Sequence, residues 1–136
     1  MRTWAWNIVR GMEGLPAGME GRVYSSGSAD NPVSPFIIVA MGVEIPVLGM
    51  PRNSKTAQVP IDVWCHDRAG SMVNIDNACI TLKNNLPSLA PVRIGGLFIL
   101  EIAWEEIGPD QQDDGFQTMT RRCSFRATTS GRVPVG

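Results

Sequence analysis

The sequence predicts an α+β fold in a single domain: an antiparallel or mixed sheet of four to five strands with two helices packed on one face, in the chain order α-β-β-β-α-β-β. Three observations predict it. Apolar residues recur every third and fourth position over residues 71–86, the period of a helix with one buried face. They recur every second position in "AQVPIDVWC", "LFILEIAWE" and "FQTMTRRCSFRAT", the period of half-buried strands. The chain has 136 residues, 43% of them hydrophobic, which suffices for one compact core and leaves no room for a second domain.

The first element is a short amphipathic helix in "TWAWNIVRGM", where Trp4, Ile8 and Met12 form a stripe flanked by Ala5 and Val9, and Gly14 and Pro16 end it. A short strand, "RVYSS", follows. The turn-rich "GSADNPVSP" then leads into "FIIVAMG", whose residues Phe36 to Met41 are expected to form a central strand. In "VEIPVLGMPRNSKTAQ", Pro46 has no amide hydrogen to give to a ladder, so this segment reads as a loop or bulged edge. The next strand sets Val59, Ile61, Val63 and Cys65 on one face against Pro60, Asp62 and Trp64 on the other.

The second helix, "SMVNIDNACITLKNNL", gathers Met72, Ile75, Cys79, Leu82 and Leu86 on its apolar side and Asn74, Asp76, Asn77, Lys83 and Asn84 opposite. Ser71 or Asp67 is positioned to cap its start, and Pro87 ends it. A final hairpin points Phe98, Leu100, Ile102 and Trp104 inward and Glu101 and Glu105 outward, then Met119, Cys123, Phe125 and Ala127 inward and Arg122 and Arg126 outward. Its outer face can carry Glu–Arg cross-strand pairs worth ~0.2–1 kcal/mol each. The domain is expected to span residues 1–128, with 129–136 a flexible C-terminal tail.

Twelve Lys and Arg against thirteen Asp and Glu give a net charge of −1, so no basic field exists to hold nucleic acid by its phosphates. Three cysteines, Cys65, Cys79 and Cys123, are an odd number at wide spacing among apolar neighbours, as buried thiols of a reducing compartment are. No run approaches the eighteen apolar residues of a membrane span, and "MRTWAWNIVRGMEG" lacks the pattern of a cleaved leader. The expectation is a soluble protein made in the cytoplasm.

Catalytic residue types gather only in "DVWCHDR", with Asp62, Cys65, His66 and Asp67. Cys65 and His66 are adjacent, so on an extended strand their side chains point to opposite faces and His66 cannot activate the thiol. A zinc site wants about four closely spaced Cys or His ligands, and neither a second histidine nor a cysteine near Cys65 is present. The other cluster is the hairpin tip, "WEEIGPDQQDDGFQ", with Glu105, Glu106, Asp110, Asp113 and Asp114. Its spacing fails the calcium-loop pattern, because Arg121 stands where the last ligand belongs, and a solvated charged loop is the plain alternative. Phosphate-binding glycine loops and a nucleophile elbow are absent. Trp64, on the polar face of its strand, is the best candidate for a contact between subunits. No catalytic residue, metal ligand or cofactor is assigned. The competing reading from a different class is a small divalent-metal module or enzyme using Asp62, His66, Asp67 and the acidic hairpin.

The layout of "GRVYSS", "SPFIIVAMG", "AQVPIDVWCHDR", "SMVNIDNACITLKNNL" and the closing "RRCSFRATT" resembles the tail terminator, or tail completion, proteins of long-tailed bacteriophages. The long "EIPVLGMPRNSKTA" connection and the shortened first helix depart from that pattern. The resemblance implies a non-enzymatic virion protein at the head-proximal end of the tail. It implies a homo-oligomeric ring, usually of six subunits, that caps the tail tube protein and meets the head-tail connector or neck proteins. DNA would pass through its channel without specific binding, and no membrane would be involved. A neck or head-completion protein of similar fold fits the same layout. Within that frame, Trp64, Glu105, Glu106, Asp110, Asp113 and Asp114 are the expected partner-binding residues, the acids facing either the channel or the next ring.

Overall fold

The computed structural model describes residues 4–26, 32–43, 45–46, 56–68, 72–94 and 96–130. In chain order the elements are α1 (Trp4–Arg10), β1 (Val23–Ser25), β2 (Phe36–Met41), β3 (Ile45–Pro46), β4 (Thr56–Arg68), α2 (Val73–Asn85), a 3-10 turn (Pro87–Leu89), β5 (Val92–Ile94), β6 (Leu97–Ile107), β7 (Gln111–Asp113) and β8 (Thr118–Ser130). All eight strands join one sheet, ordered β1-β2-β4-β8-β6-β5, with β3 on the side of β4 and β7 on the side of β8. The β1–β2 pair is parallel and every other pair antiparallel. The fold remains α+β, but the sheet dominates it.

The expected count of four to five strands is corrected to eight. Strand β3 lies in the segment read as a loop or bulged edge, and the unforeseen strands β5 and β7 are three residues long, too short for a period to be read. Each exists because a longer neighbour offers unpaired backbone groups, not because its own side chains demand burial. Strands β6 and β7 are two parts of one edge along β8. Gly108 continues the ladder by donating its amide to the Arg122 carbonyl at 2.8 Å, and Pro109, with no amide to give, interrupts it.

Strands β4 and β8 pair over thirteen positions, from Thr56 opposite Ser130 to Arg68 opposite Thr118. On one face of this central pair Val59, Ile61, Val63, Cys65, Cys123, Phe125 and Ala127 are buried. Ile37 and Val39 of β2 and Ile99 and Ile102 of β6 extend the layer, and α1 (Trp4, Ala5, Val9) and α2 (Ile75, Ala78, Cys79, Leu82) close the same core cluster. Each fully buried Phe, Leu, Ile or Val here contributes roughly 1.5–3 kcal/mol of burial. Leu15 and Met19, in the turns after α1, plug the end of the core. Gly42 donates its amide to the Pro60 carbonyl so closely that a β-carbon there would lie 2.6 Å from the Pro60 ring, which only glycine avoids.

Two local expectations also change. Leu100, expected inward, is 43% exposed, and Ile99 is buried in its place. The β6–β8 register shifts between Ile99 and Glu101, which lets both Ile99 and Ile102 face the core, and shifts again between Trp104 and Glu106. At the start of α2 the cap residue Met72 makes no side-chain capping bond. The Asp67 carboxylate instead accepts from the Arg68 amide at 2.8 Å and the Asn74 side chain at 3.0 Å. Ser71, the other capping candidate, lies outside the described residues, as do residues 131–136 of the expected tail; Thr129 and Ser130 belong to β8.

Candidate functional site

The face of the sheet opposite the helices carries a cavity of about 410 Å³. Alternation along the strands brings Ile38 and Ala40 of β2, Trp64 and His66 of β4, and Thr120 of β8 to its floor. Strand β7 and the turn after it form the wall, with Gln111, Gln112, Asp113, Asp114 and Phe116. The turn is held by the Asp113 carboxylate, which accepts from the Phe116 amide at 3.1 Å, and Gln117 closes it with φ of 56°.

His66 is 2% exposed and stacks on Phe36 at 4.5 Å between ring centroids, with the Phe116 ring edge-on at 5.6 Å. Its Nδ1 is hydrogen-bonded to the Thr118 hydroxyl at 2.9 Å. Burial lowers its pKa to about 4, against the opposing pull of Asp113, so the ring is neutral at physiological pH. The buried Thr120 hydroxyl has no hydrogen-bond partner among the described residues. Half-buried Trp64 lies beneath the Arg122 guanidinium, 5.7 Å from the ring centroid.

The five acids of the hairpin do not form one patch. Glu105 pairs with Arg126 at 3.3 Å, Glu106 with Arg122 at 3.5 Å, and Asp110 with Arg121 at 2.7 Å. Arg121 also reaches Asp76 of α2 at 2.6 Å. Asp113 and Asp114 stand apart from these pairs, on the cavity wall. Of the Glu–Arg pairs across β6 and β8, Glu105–Arg126 is the one the alternation predicts, whereas Glu106 takes the place expected of Glu101 beside Arg122 because the register shifts between Trp104 and Glu106; the Asp110–Arg121–Asp76 bridge joins parts of the chain no local pattern connects.

The competing set of Asp62, His66 and Asp67 does not converge. Asp62 accepts from the Ser124 hydroxyl at 2.9 Å, Asp67 is tied to Asn74, and only His66 reaches the hairpin. Among the described residues the three side chains therefore belong to separate contacts and not to one site.

Sequence spacing hid one cluster. The Sγ atoms of Cys65, Cys79 and Cys123 lie within 4.8 Å of one another in the core, where α2 crosses β4 and β8. The signal was available, since all three fall on inward faces of their elements, but faces show proximity only once the helix is docked. Hydrogen bonds from Cys123 and Cys65 hold the Cys79 thiol down to about 4, helped by Arg121 and opposed by burial. Hydrogen bonding to Cys123 and Cys79, with burial, pushes Cys65 well up. The three thiols therefore titrate as one coupled group, with Cys79 the most readily ionised of them.

Comparison with known proteins bears on the fold. No family model and no curated protein sequence matches the chain. A chain from a solved structure of the virion of a native gene transfer agent particle has the same fold, with a TM-score of 0.72 over 96% of this chain and 95% of that one, at 14% identity. Among the described residues no helix is long and apolar enough to cross a membrane.

Proposed function

We propose that the chain is a structural subunit of a phage-like virion, not an enzyme, and that copies of it form a ring, six by the tail-terminator pattern, capping the tail tube and presenting the surface to which the head is joined. The observation that carries this reading is the end-to-end likeness to a virion chain: nearly all of each molecule is matched, so the likeness is to a whole subunit and not to a recurring motif. The surface supports it. Val43, Val73 and Ile80 are 83%, 66% and 57% exposed, and β1 and β5 leave two edges of the sheet open to a neighbour among the described strands. A head-to-tail ring needs two different patches on each subunit, and a two-faced sheet with helices on one side only provides them.

In this reading Trp64 and the cavity wall meet the adjacent subunit or ring. The acids that pair with Arg121, Arg122 and Arg126 stiffen the hairpin, and Asp113 and Asp114 remain to repel DNA phosphates or meet basic groups of a partner. Imaging of whole particles carrying a labelled copy of the chain tests the proposal. A ring of label where tail meets head is the expected result, and particles that assemble and infect without the chain would overturn it.

A further inference from the structure

We propose that Cys65, Cys79 and Cys123 form a three-thiolate site for a thiophilic divalent d10 metal ion, at the crossing of α2 with β4 and β8. This goes beyond the virion reading and stands independently of it. The three sulfurs lie within 4.8 Å of one another, and their residues are 0%, 1% and 0% exposed. A metal–thiolate bond of about 2.3 Å sets the sulfurs of a planar three-coordinate centre about 4.0 Å apart, so closing on an ion asks each sulfur to move by less than about 1 Å. Each cysteine sits on a different regular element, β4, α2 or β8, so the backbone holds the triangle in place.

Donor type and charge select the ion. Thiolates favour soft ions, and no histidine or carboxylate joins the three sulfurs among the described residues, which departs from the four-coordinate shell of structural zinc. Three thiolates and a divalent ion carry one net negative charge, and the Arg121 guanidinium, bridged to Asp76 and Asp110, is the cation beside the cluster. A monovalent ion would bury one negative charge more than a divalent one. On binding, each of the three cysteines bonds to the metal as a thiolate, and every thiol proton displaced goes to the buffer. The plain alternative is three thiols packed as small apolar groups.

Cadmium ion is a suitable probe, because its thiolate charge-transfer band is read in the ultraviolet. The whole chain, reduced and unfolded without oxygen, is refolded with and without cadmium chloride, since the buried site needs the ion during folding. The expected result is one cadmium per chain, a band of three-thiolate intensity, and a denaturation midpoint higher than that of the metal-free protein. Cys79→Ala and Cys123→Ser, each checked by circular dichroism for native structure, are expected to weaken binding by about 100-fold or more. A wild-type chain that refolds without the band would overturn the proposal, and so would equal cadmium binding by wild type and either folded variant.

Discussion

Arg121 ties three elements together: its guanidinium bonds to Asp110 beyond β6 and Asp76 on α2, and its own side chain is only 16% exposed. Replacing it by alanine removes two charge-assisted contacts, so Arg121→Ala is expected to cost about 1–2 kcal/mol in urea denaturation, and Asp76→Asn less. His66 makes the opposite kind of prediction, one in pH. Its ordinary pKa of 6.5 is lowered to about 4 in the fold, so below pH 6.5 the unfolded chain takes up a proton that the folded chain refuses. Stability at His66 is therefore fully present above pH 6.5 and is lost as pH falls to about 4, by roughly 3 kcal/mol. In His66→Gln that acid-limb slope should flatten relative to wild type in a series of denaturation curves. Neither effect was legible in the sequence, because both depend on contacts between residues 45 to 52 positions apart.

At the scale of elements, the long ones declare themselves. The stripe from Ile75 to Leu86 and the alternation from Val59 to Cys65 are each set by a face that must leave water, and both appear where their spacing places them. The short strands β5 and β7 were invisible, and β3 legible only as an edge, for the reason given by their pairing: the demand comes from the neighbour. Strand β6 lies between, with its identity legible and its phase not, because a bulge changes which residues face inward without changing composition. This phase is directly testable. Leu100→Glu should leave stability within about 0.5 kcal/mol, whereas Ile99→Ala and Ile102→Ala should each cost about 2–4 kcal/mol by thermal or chemical unfolding. A strand without bulges would reverse that order for Leu100 and Ile99.

At the scale of the whole molecule, the two faces of the sheet divide the work: one holds the core, the other the aromatic cavity and its acidic wall. If copies meet through these surfaces, Val73→Asp with Ile80→Asp, or Asp114→Lys, should leave the unfolding midpoint of the monomer nearly unchanged while abolishing assembly into particles, read by sedimentation and by infectivity. Asp110→Lys is the informative contrast, since it also breaks the Arg121 bridge and should weaken the monomer itself.

The thirteen-position ladder between β4 and β8 has a consequence for how the chain is made. The middle seam of the sheet joins residues far apart in the chain, so during translation β4 must wait, one side unzipped, until its mate emerges behind α2 and the hairpin. A nascent polypeptide halted anywhere before that moment has no seam at all. Prematurely terminated copies should consequently go to the proteases and never enter a growing particle.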